Sequence, residues 1–297
     1  MLRRDPLRQG RGLRPPRMRG RRVTSFSLYR MIPNILTLLA LCAGMTAIRF
    51  AMVGKYEAAA VAIIVAAVFD GLDGRAARLL KANTSFGAQL DSLSDFISFG
   101  VAPAVVLYAW TMSELFTLGW VIVLFYAACC ALRLARFNTQ LDVELPPYAS
   151  NYFTGVPAPA AAGVVLVPMF FSFEWGDAII RSPWVNAVVI GGVAALMVSR
   201  IPTLSLKKIR IQHHQVVPTL LGVGVLAALF TTAPWPVMTV VGLAYVATIP
   251  ATWYLFQRQK RAYEASVPQP AAAPAGGEAP GYRPASPAEE GSAVTRH

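Results

Sequence analysis

The sequence predicts an all-α fold, a polytopic bundle of about eight transmembrane helices. Three observations predict it. Hydrophobic residues make up 55% of the 297 positions and charged residues only 14%, against about 25% charged in a soluble domain. Eight apolar runs follow one another, each close to the roughly 20 residues that cross a bilayer. The net charge of +12 sits beside those runs, so its natural partner is an anionic membrane lipid surface and no nucleic acid is expected.

Residues 1–29 form a basic arm, in which Arg3, Arg4, Arg8, Arg11, Arg14, Arg17, Arg19, Arg21 and Arg22 stand against one acid, Asp5. The arm lacks an apolar stretch ending in a cleavage site, so it does not read as a signal peptide. It either adheres to anionic lipid or fixes topology. Residues 30–256 form the transmembrane domain, with spans near 31–52, 56–80, 86–110, 114–138, 155–173, 183–200, 215–232 and 236–256. From residue 257 the chain passes into a Pro/Ala-rich tail, 257–297, too poor in apolar side chains to fold. Outside the spans, Arg75, Arg78, Lys81, Arg133, Arg136, Arg200, Lys207, Lys208, Arg210, Arg258, Lys260 and Arg261 fall on one side, with the arm. Only Lys55 and Arg181 fall on the other. The positive-inside rule then gives an integral cell membrane protein with both termini in the cytoplasm. Trp110, Trp120, Trp175, Trp184, Trp235 and Trp253 lie near span ends and read as interfacial anchors. Cys42, Cys129 and Cys130 lie in apolar runs and read as small packing residues.

One short region breaks the apolar pattern: VFDGLDGRAARLLKANTSFGAQLDSLSDFISFG. It holds Asp70 and Asp73 at i, i+3, and Asp91 and Asp95 at i, i+4, so each pair shares a helix face. The polar KANTS segment, Lys81 to Ser85, reads as a turn that brings the two faces together at the cytoplasmic surface. Ionisable groups within a span are costly and usually functional. Four adjacent carboxylates need protons or cations, and an all-Asp set suits Mg²⁺ or Mn²⁺, one or two ions. Such ions can clamp the oxygens of a phosphoryl displacement. Small residues at Gly71, Gly74, Ala77 and Gly87 would admit a nucleotide close to the backbone. Two other readings stay open from spacing alone: anchoring ion pairs with Arg75, Arg78 or Lys81, and an ion or proton pathway of a transporter.

The pattern Asp70-x-x-Asp73-Gly74-x-x-Ala77-Arg78, then Gly87-x-x-x-Asp91-x-x-x-Asp95, resembles the CDP-alcohol phosphatidyltransferase signature at every defined position. The opening IPNILT, with Asn34 and Thr37, is similar to that family's first transmembrane helix. SFGVAPA at 98–104, ALRLARFN at 131–138, FTGVPAPAAA at 153–162 and SRIPTLSLKK at 199–208 resemble one branch, the integral-membrane phosphatidylserine synthases. The resemblance covers roughly residues 30–255. It implies the CDP-alcohol phosphatidyltransferase fold and a direct, single-displacement transfer. CDP-diacylglycerol and L-serine would give phosphatidylserine and CMP, with sister acceptors such as glycerol phosphate or an inositol compound as the alternative. It further implies that Asp70, Asp73 and Asp91 bind metal, with Asp95 at the same cluster serving as base. Asn34, Thr37, Gly74, Ala77, Arg78 and Gly87 would lie at the CMP site. The resemblance also implies a homodimer.

Arg133 and Arg136 are spaced i, i+3 at a helix end, followed by Asn138. They read as acceptor or phosphate contacts, an Arg fork being able to hold a carboxylate bidentately, or as side chains snorkelling to headgroups. Lys207, Lys208 and Arg210 read as an inside-positive loop or a phosphate contact, and His213 and His214 as a solvated pair.

Overall fold

The structure, a computed structural model, describes residues 28–82, 84–139, 152–177, 179–204 and 216–266. Residues 1–27 of the basic arm, Lys207, Lys208, Arg210, His213, His214 and the tail from residue 267 lie outside the described residues.

The chain enters through a single 3₁₀ turn, Leu28–Met31, and continues as α1, Ile32–Met52. Pro33 occupies the first turn of α1, where its missing N–H leaves nothing unpaired. The buried residues of α1 are Pro33, Thr37, Ala40, Gly44, Ala47 and Ala51, in alternating steps of four and three. That spacing makes one narrow stripe. Helix α2, Tyr56–Leu79, returns along it and buries Ala59, Ala60, Ala62, Ile63 and Ala66. The two stripes are nearly all small residues. Without a hydrophobic force between helices in lipid, such residues favour pairing by letting backbones approach.

The turn after α2 is set by local chemistry. Ala82 N–H donates to Ala77 O at 3.0 Å, and Lys81 N–H to Arg78 O at 3.4 Å. These two bonds form a Schellman cap, with Lys81 at φ 48° in the left-handed position that glycine usually takes. Two residues after Ala82, Thr84 caps α3, Ser85–Asp95: its Oγ1 accepts from Gly87 N–H at 3.0 Å. The KANTS segment is therefore a tight helix-to-helix turn, as expected, with Asn83 itself outside the described residues.

Helix α3 runs into a six-residue π-helical stretch, Phe96–Val101, and then α4, Ala102–Trp110. Together they form one apolar stretch, Ser85–Trp110, long enough to cross a membrane. Pro103 has no N–H to give to Phe99 O one α-turn back. The buried Tyr126 hydroxyl donates to that carbonyl at 3.1 Å instead. Tyr126 lies on α5, Phe116–Thr139.

A short strand β1, Tyr152–Thr154, precedes α6, Ala158–Val165, and α7, Val167–Trp175. Then come α8, Pro183–Val198, strand β2, Pro202–Leu204, helix α9, Val216–Thr232, and α10, Pro234–Ser266. Strands β1 and β2 pair antiparallel, Phe153 opposite Thr203. Gly155, at φ +77°, closes this pair against α8, where an added Cβ would stand 2.6 Å from Met197 O. The core is contributed mainly by α1, α2, α4, α5, α6, α7 and α8, whereas α9 buries none of its residues.

The expectation of a helical membrane bundle holds, with specific differences. Five stretches among the described residues are long and apolar enough to span: Tyr29–Met52, Ser85–Trp110, Met112–Thr139, Ala158–Trp175 and Pro234–Ala262. Helices α8 and α9 are apolar but shorter, and α2 carries acids and arginines in its last turns. Of the eight runs expected, five thus meet the length and hydropathy of a span among the described residues, and α2, α8 and α9 do not. The run near 155–173 is two helices, α6 and α7, broken before Pro168. The last helix continues ten residues beyond 256, to Ser266, because Gln257–Ser266 contains neither Pro nor Gly. The all-helical reading gains one small β pair.

Two tryptophans depart from interfacial anchoring. Trp110 is buried, with the Arg181 guanidinium 6.0 Å from its ring centre. Trp235 packs against Phe173 and Phe170, at ring separations of 4.8 and 6.0 Å. Cys129 and Cys130 are buried as expected, while Cys42 is exposed.

Candidate active site

The α2–α3 hairpin places its two acidic faces against each other. One carboxylate oxygen each from Asp70, Asp91 and Asp95 lies within 4.8 Å of the others, all three groups being half-buried. The Asp70 and Asp95 carboxyls are within hydrogen-bonding reach of one another. Asp95 Oδ1 is buried and has no hydrogen-bond partner among the described residues.

Asp73 is placed differently from its three companions. It is only 5% exposed, and its Oδ2 accepts from the Thr37 hydroxyl of α1 at 2.6 Å. Thr37 Oγ1 also lies 3.0 Å from Pro33 O. A hydroxyl has one proton, so it serves one of these acceptors at a time. Of the four expected acids, three carboxylates thus converge and the fourth is tied to α1 through one of its oxygens.

Helix α1 is tied to the hairpin twice more. Ser94 Oγ donates to Thr37 O at 3.0 Å, and Ser98 Oγ to Ala40 O at 3.1 Å. Both serines are buried. Interhelical hydrogen bonds of this kind contribute on average about 0.6 kcal/mol each in a membrane bundle. Gly44 lets the approach happen: a Cβ there would stand 2.6 Å from Ser98 Oγ and 2.8 Å from Ser98 Cα. Sequence reading did not single out Ser94 and Ser98. Their signal is polar side chains at i, i+4 inside an apolar run.

The residues expected near a nucleotide gather at the same end. A Cβ on Gly87 would stand 3.0 Å from Asn34 Oδ1, so Gly87 and Asn34 are neighbours across α3 and α1. Gly71 and Gly74 are exposed, and a Cβ on either would meet nothing within 4 Å. These two glycines are therefore not packing devices. Their backbone is open to an incoming group. Ala77 lends its carbonyl to the Schellman cap, and Arg78 is exposed in the last turn of α2.

The α5 residues divide. Arg133 is in electrostatic contact with Asp95, and its Nε is buried without a hydrogen-bond partner among the described residues. Asn138 donates from Nδ2 to Ser92 Oγ at 2.9 Å, beside Asp91. Arg136 donates from Nη1 to Val198 O at 3.3 Å, satisfying the C-terminal end of α8. The two arginines thus have different neighbours. Arg133 turns to the acids and Arg136 to a helix end.

The family profile described as CDP-alcohol phosphatidyltransferase matches residues 30–199, more than half of the chain. The chain belongs to the CDP-alcohol phosphatidyltransferase family. A second profile of that name, CDP-alcohol phosphatidyltransferase 2, matches residues 214–250. With its long apolar helices, this CDP-alcohol phosphatidyltransferase is an integral membrane protein. The chain is 40% identical over 235 residues to a CDP-diacylglycerol–serine O-phosphatidyltransferase of Mycobacterium leprae, covering 79% of this chain and 77% of the relative. It is 32% identical over 182 residues to the protein of that name from Helicobacter pylori, covering 61% and 74%. The protein of that name from Bacillus subtilis is 33% identical over 177 residues, covering 60% and 92%. Asp70, Asp73, Asp91 and Asp95 all lie inside the matched family segment.

Proposed function

We propose that this chain transfers the phosphatidyl group of CDP-diacylglycerol to the hydroxyl of L-serine and releases CMP. The observation that carries the reading is the convergence of Asp70, Asp91 and Asp95 in a chain 40% identical to a relative named for that reaction. The lipid half of CDP-diacylglycerol needs the bilayer, while its nucleotide half and L-serine need water, so the site must lie where the two meet. Acids at the polar end of an apolar bundle suit that meeting.

A divalent metal fits the residues present. The donor set is all oxygen, three carboxylates lie together, and Asp95 Oδ1 has no protein partner among the described residues. Asp70, Asp91 and Asp95 would hold Mg²⁺ or Mn²⁺, with Asp73 at the edge of the set. When bound, such an ion supplies positive charge to the phosphate oxygens and to the departing CMP.

The chain's own residues supply the remaining work. A carboxylate has two oxygens, so Asp95 can serve the cluster and also take the proton of the serine hydroxyl. The serine oxygen forms its bond to the phosphorus carrying diacylglycerol, and the bond to the CMP oxygen breaks with its electron pair. Arg133, adjacent to Asp95, offers a cation to the serine carboxylate. Gly71 and Gly74 leave backbone open to the nucleotide, with Asn34, Gly87, Ala77 and Arg78 around it. Arg30, Arg75, Arg78, Lys81 and Arg200 crowd the end that carries the acids, which supports a cytoplasmic site and cytoplasmic termini. The same reading includes a homodimer and an anionic lipid surface beneath the basic arm.

The test is CMP release from CDP-diacylglycerol in vesicles containing the purified protein and Mg²⁺ or Mn²⁺. Release should depend on L-serine. Release driven by glycerol phosphate or inositol phosphate, and not by serine, would overturn the acceptor assignment.

A further inference from the structure

The stretch that follows Asp95 is wound more widely than the helices on either side of it. Over Phe96–Val101 the chain is π-helical, and at its end Ala102 N–H donates to Ile97 O, five residues back instead of four. Such a turn holds one residue more than an α-turn. It rotates everything before it by about 100° relative to everything after it. Asp91 and Asp95 lie before it, on α3. Ala102, Ala104, Val106 and Leu107 lie after it, on α4, and are fully buried. With α4 fixed in the core, the direction in which Asp95 points depends on the wide turn being kept.

The wide turn lies between α1 and α5. On the α1 side, Ser98 Oγ donates to Ala40 O at 3.1 Å. On the α5 side, a Cβ on Gly100 would stand 3.0 Å from Cys130 Sγ and 3.1 Å from Cys130 Cβ. Tyr126, one turn before Cys130 on the same face of α5, donates its hydroxyl proton to Phe99 O at 3.1 Å. Tyr126 and Cys130 are both fully buried. Phe99 O stands one turn after Asp95, and its α-helical donor would be residue 103, a proline without an N–H. Without the hydroxyl, this carbonyl would be unpaired in the core, and any shift of the turn that re-paired it would be favoured.

From this we infer that Tyr126 is a positioning residue for Asp95: its hydroxyl, by taking up the Phe99 carbonyl, holds the π-helical turn that aims Asp95 at the carboxylate cluster. The inference rests on the serine-transfer reading and extends it to a residue of α5 whose proton goes to the backbone.

The test uses the full-length protein in vesicles, with Tyr126→Phe, which keeps the ring and removes the donor. Turnover is expressed per CDP-diacylglycerol site, the sites being counted by equilibrium binding. Tyr126→Phe should lower kcat per site by about 10–10²-fold, the effect of misplacing a reacting group by up to about 1 Å. The KM values for L-serine and CDP-diacylglycerol should each stay within about twofold. Hydrogen exchange over residues 96–104 should quicken by about tenfold, while α8 keeps its rates. Pro103→Ala restores an N–H for Phe99 O, so in that background adding Tyr126→Phe should lower kcat by less than about threefold. A merely structural tyrosine would lose sites and turnover in the same proportion, leaving kcat per site unchanged, and that result would overturn the inference. So would unchanged exchange over 96–104, or an equal loss of kcat with and without Pro103. Should Tyr126→Phe fail to fold alone, its recovery by Pro103→Ala supports the inference, and failure of the pair overturns it. If the unaltered protein shows no serine-dependent CMP release, the parent reading fails before any variant is made, and the exchange rates still report whether Tyr126 holds the turn.

Discussion

The Thr37 hydroxyl lies 2.6 Å from Asp73 Oδ2, joining two residues 36 positions apart. This contact fastens the first transmembrane helix to the acidic face of the second, where Asp73 is otherwise buried. Thr37→Val keeps the shape and removes the donor. A buried carboxylate deprived of its donor costs about 1–3 kcal/mol. Thermal unfolding of the detergent-solubilised protein should show that loss for Thr37→Val and little of it for Thr37→Ser. Equal stability of the valine variant and the parent would mean the bond contributes nothing.

Asp95 combines a place in the carboxylate cluster with an unpartnered buried oxygen. Asp95→Asn should lower kcat by about 10²–10⁴-fold, the range for loss of a general base. Binding of CDP-diacylglycerol, measured directly by equilibrium methods, should largely survive on Asp70 and Asp91. Loss of nucleotide binding in this variant would instead show that the metal cannot be held without Asp95, and would leave its role as base unsupported.

Gly74 and Gly44 should respond to alanine in opposite ways. A Cβ on Gly74 meets nothing within 4 Å, and alanine favours a helix over glycine by about 1 kcal/mol. Gly74→Ala should therefore fold at least as stably as the parent, yet raise the KM for CDP-diacylglycerol by about tenfold if the nucleotide rests on that backbone. A normal KM would show that the nucleotide lies elsewhere.

A Cβ on Gly44 would stand 2.6 Å from Ser98 Oγ and 2.8 Å from Ser98 Cα. Rotating the serine does not relieve the backbone contact, so α1 must move. Overpacking of this kind costs about 1–3 kcal/mol. Because Ser98 stands three residues beyond Asp95, the shift should reach the acids. Gly44→Ala should lower both the melting temperature and kcat. A stable but inactive variant, or an active but unstable one, would separate the two effects and refute the coupling.

The sequence by itself determined the helical class, the membrane setting and the acidic hairpin. Those are local properties. Apolar runs report the solvent, and Asp70, Asp73, Asp91 and Asp95 fall into face-sharing pairs because helix geometry repeats every 3.6 residues. The turn between them was legible because the polar KANTS segment, Lys81 to Ser85, interrupts the apolar pattern. The tertiary structure alone decided which acids meet. Asp73 is tied to α1 because Thr37, 36 residues earlier, donates to its Oδ2, and no spacing rule records a partner that far away. Arg133 and Arg136 share a helix face, but α8 ends beside Arg136, whose Nη1 donates to Val198 O. Helix α6 splits from α7 at a proline that the hydropathy average conceals. Helix type and burial pattern follow from neighbours in the chain. The pairing of polar groups follows from neighbours in space.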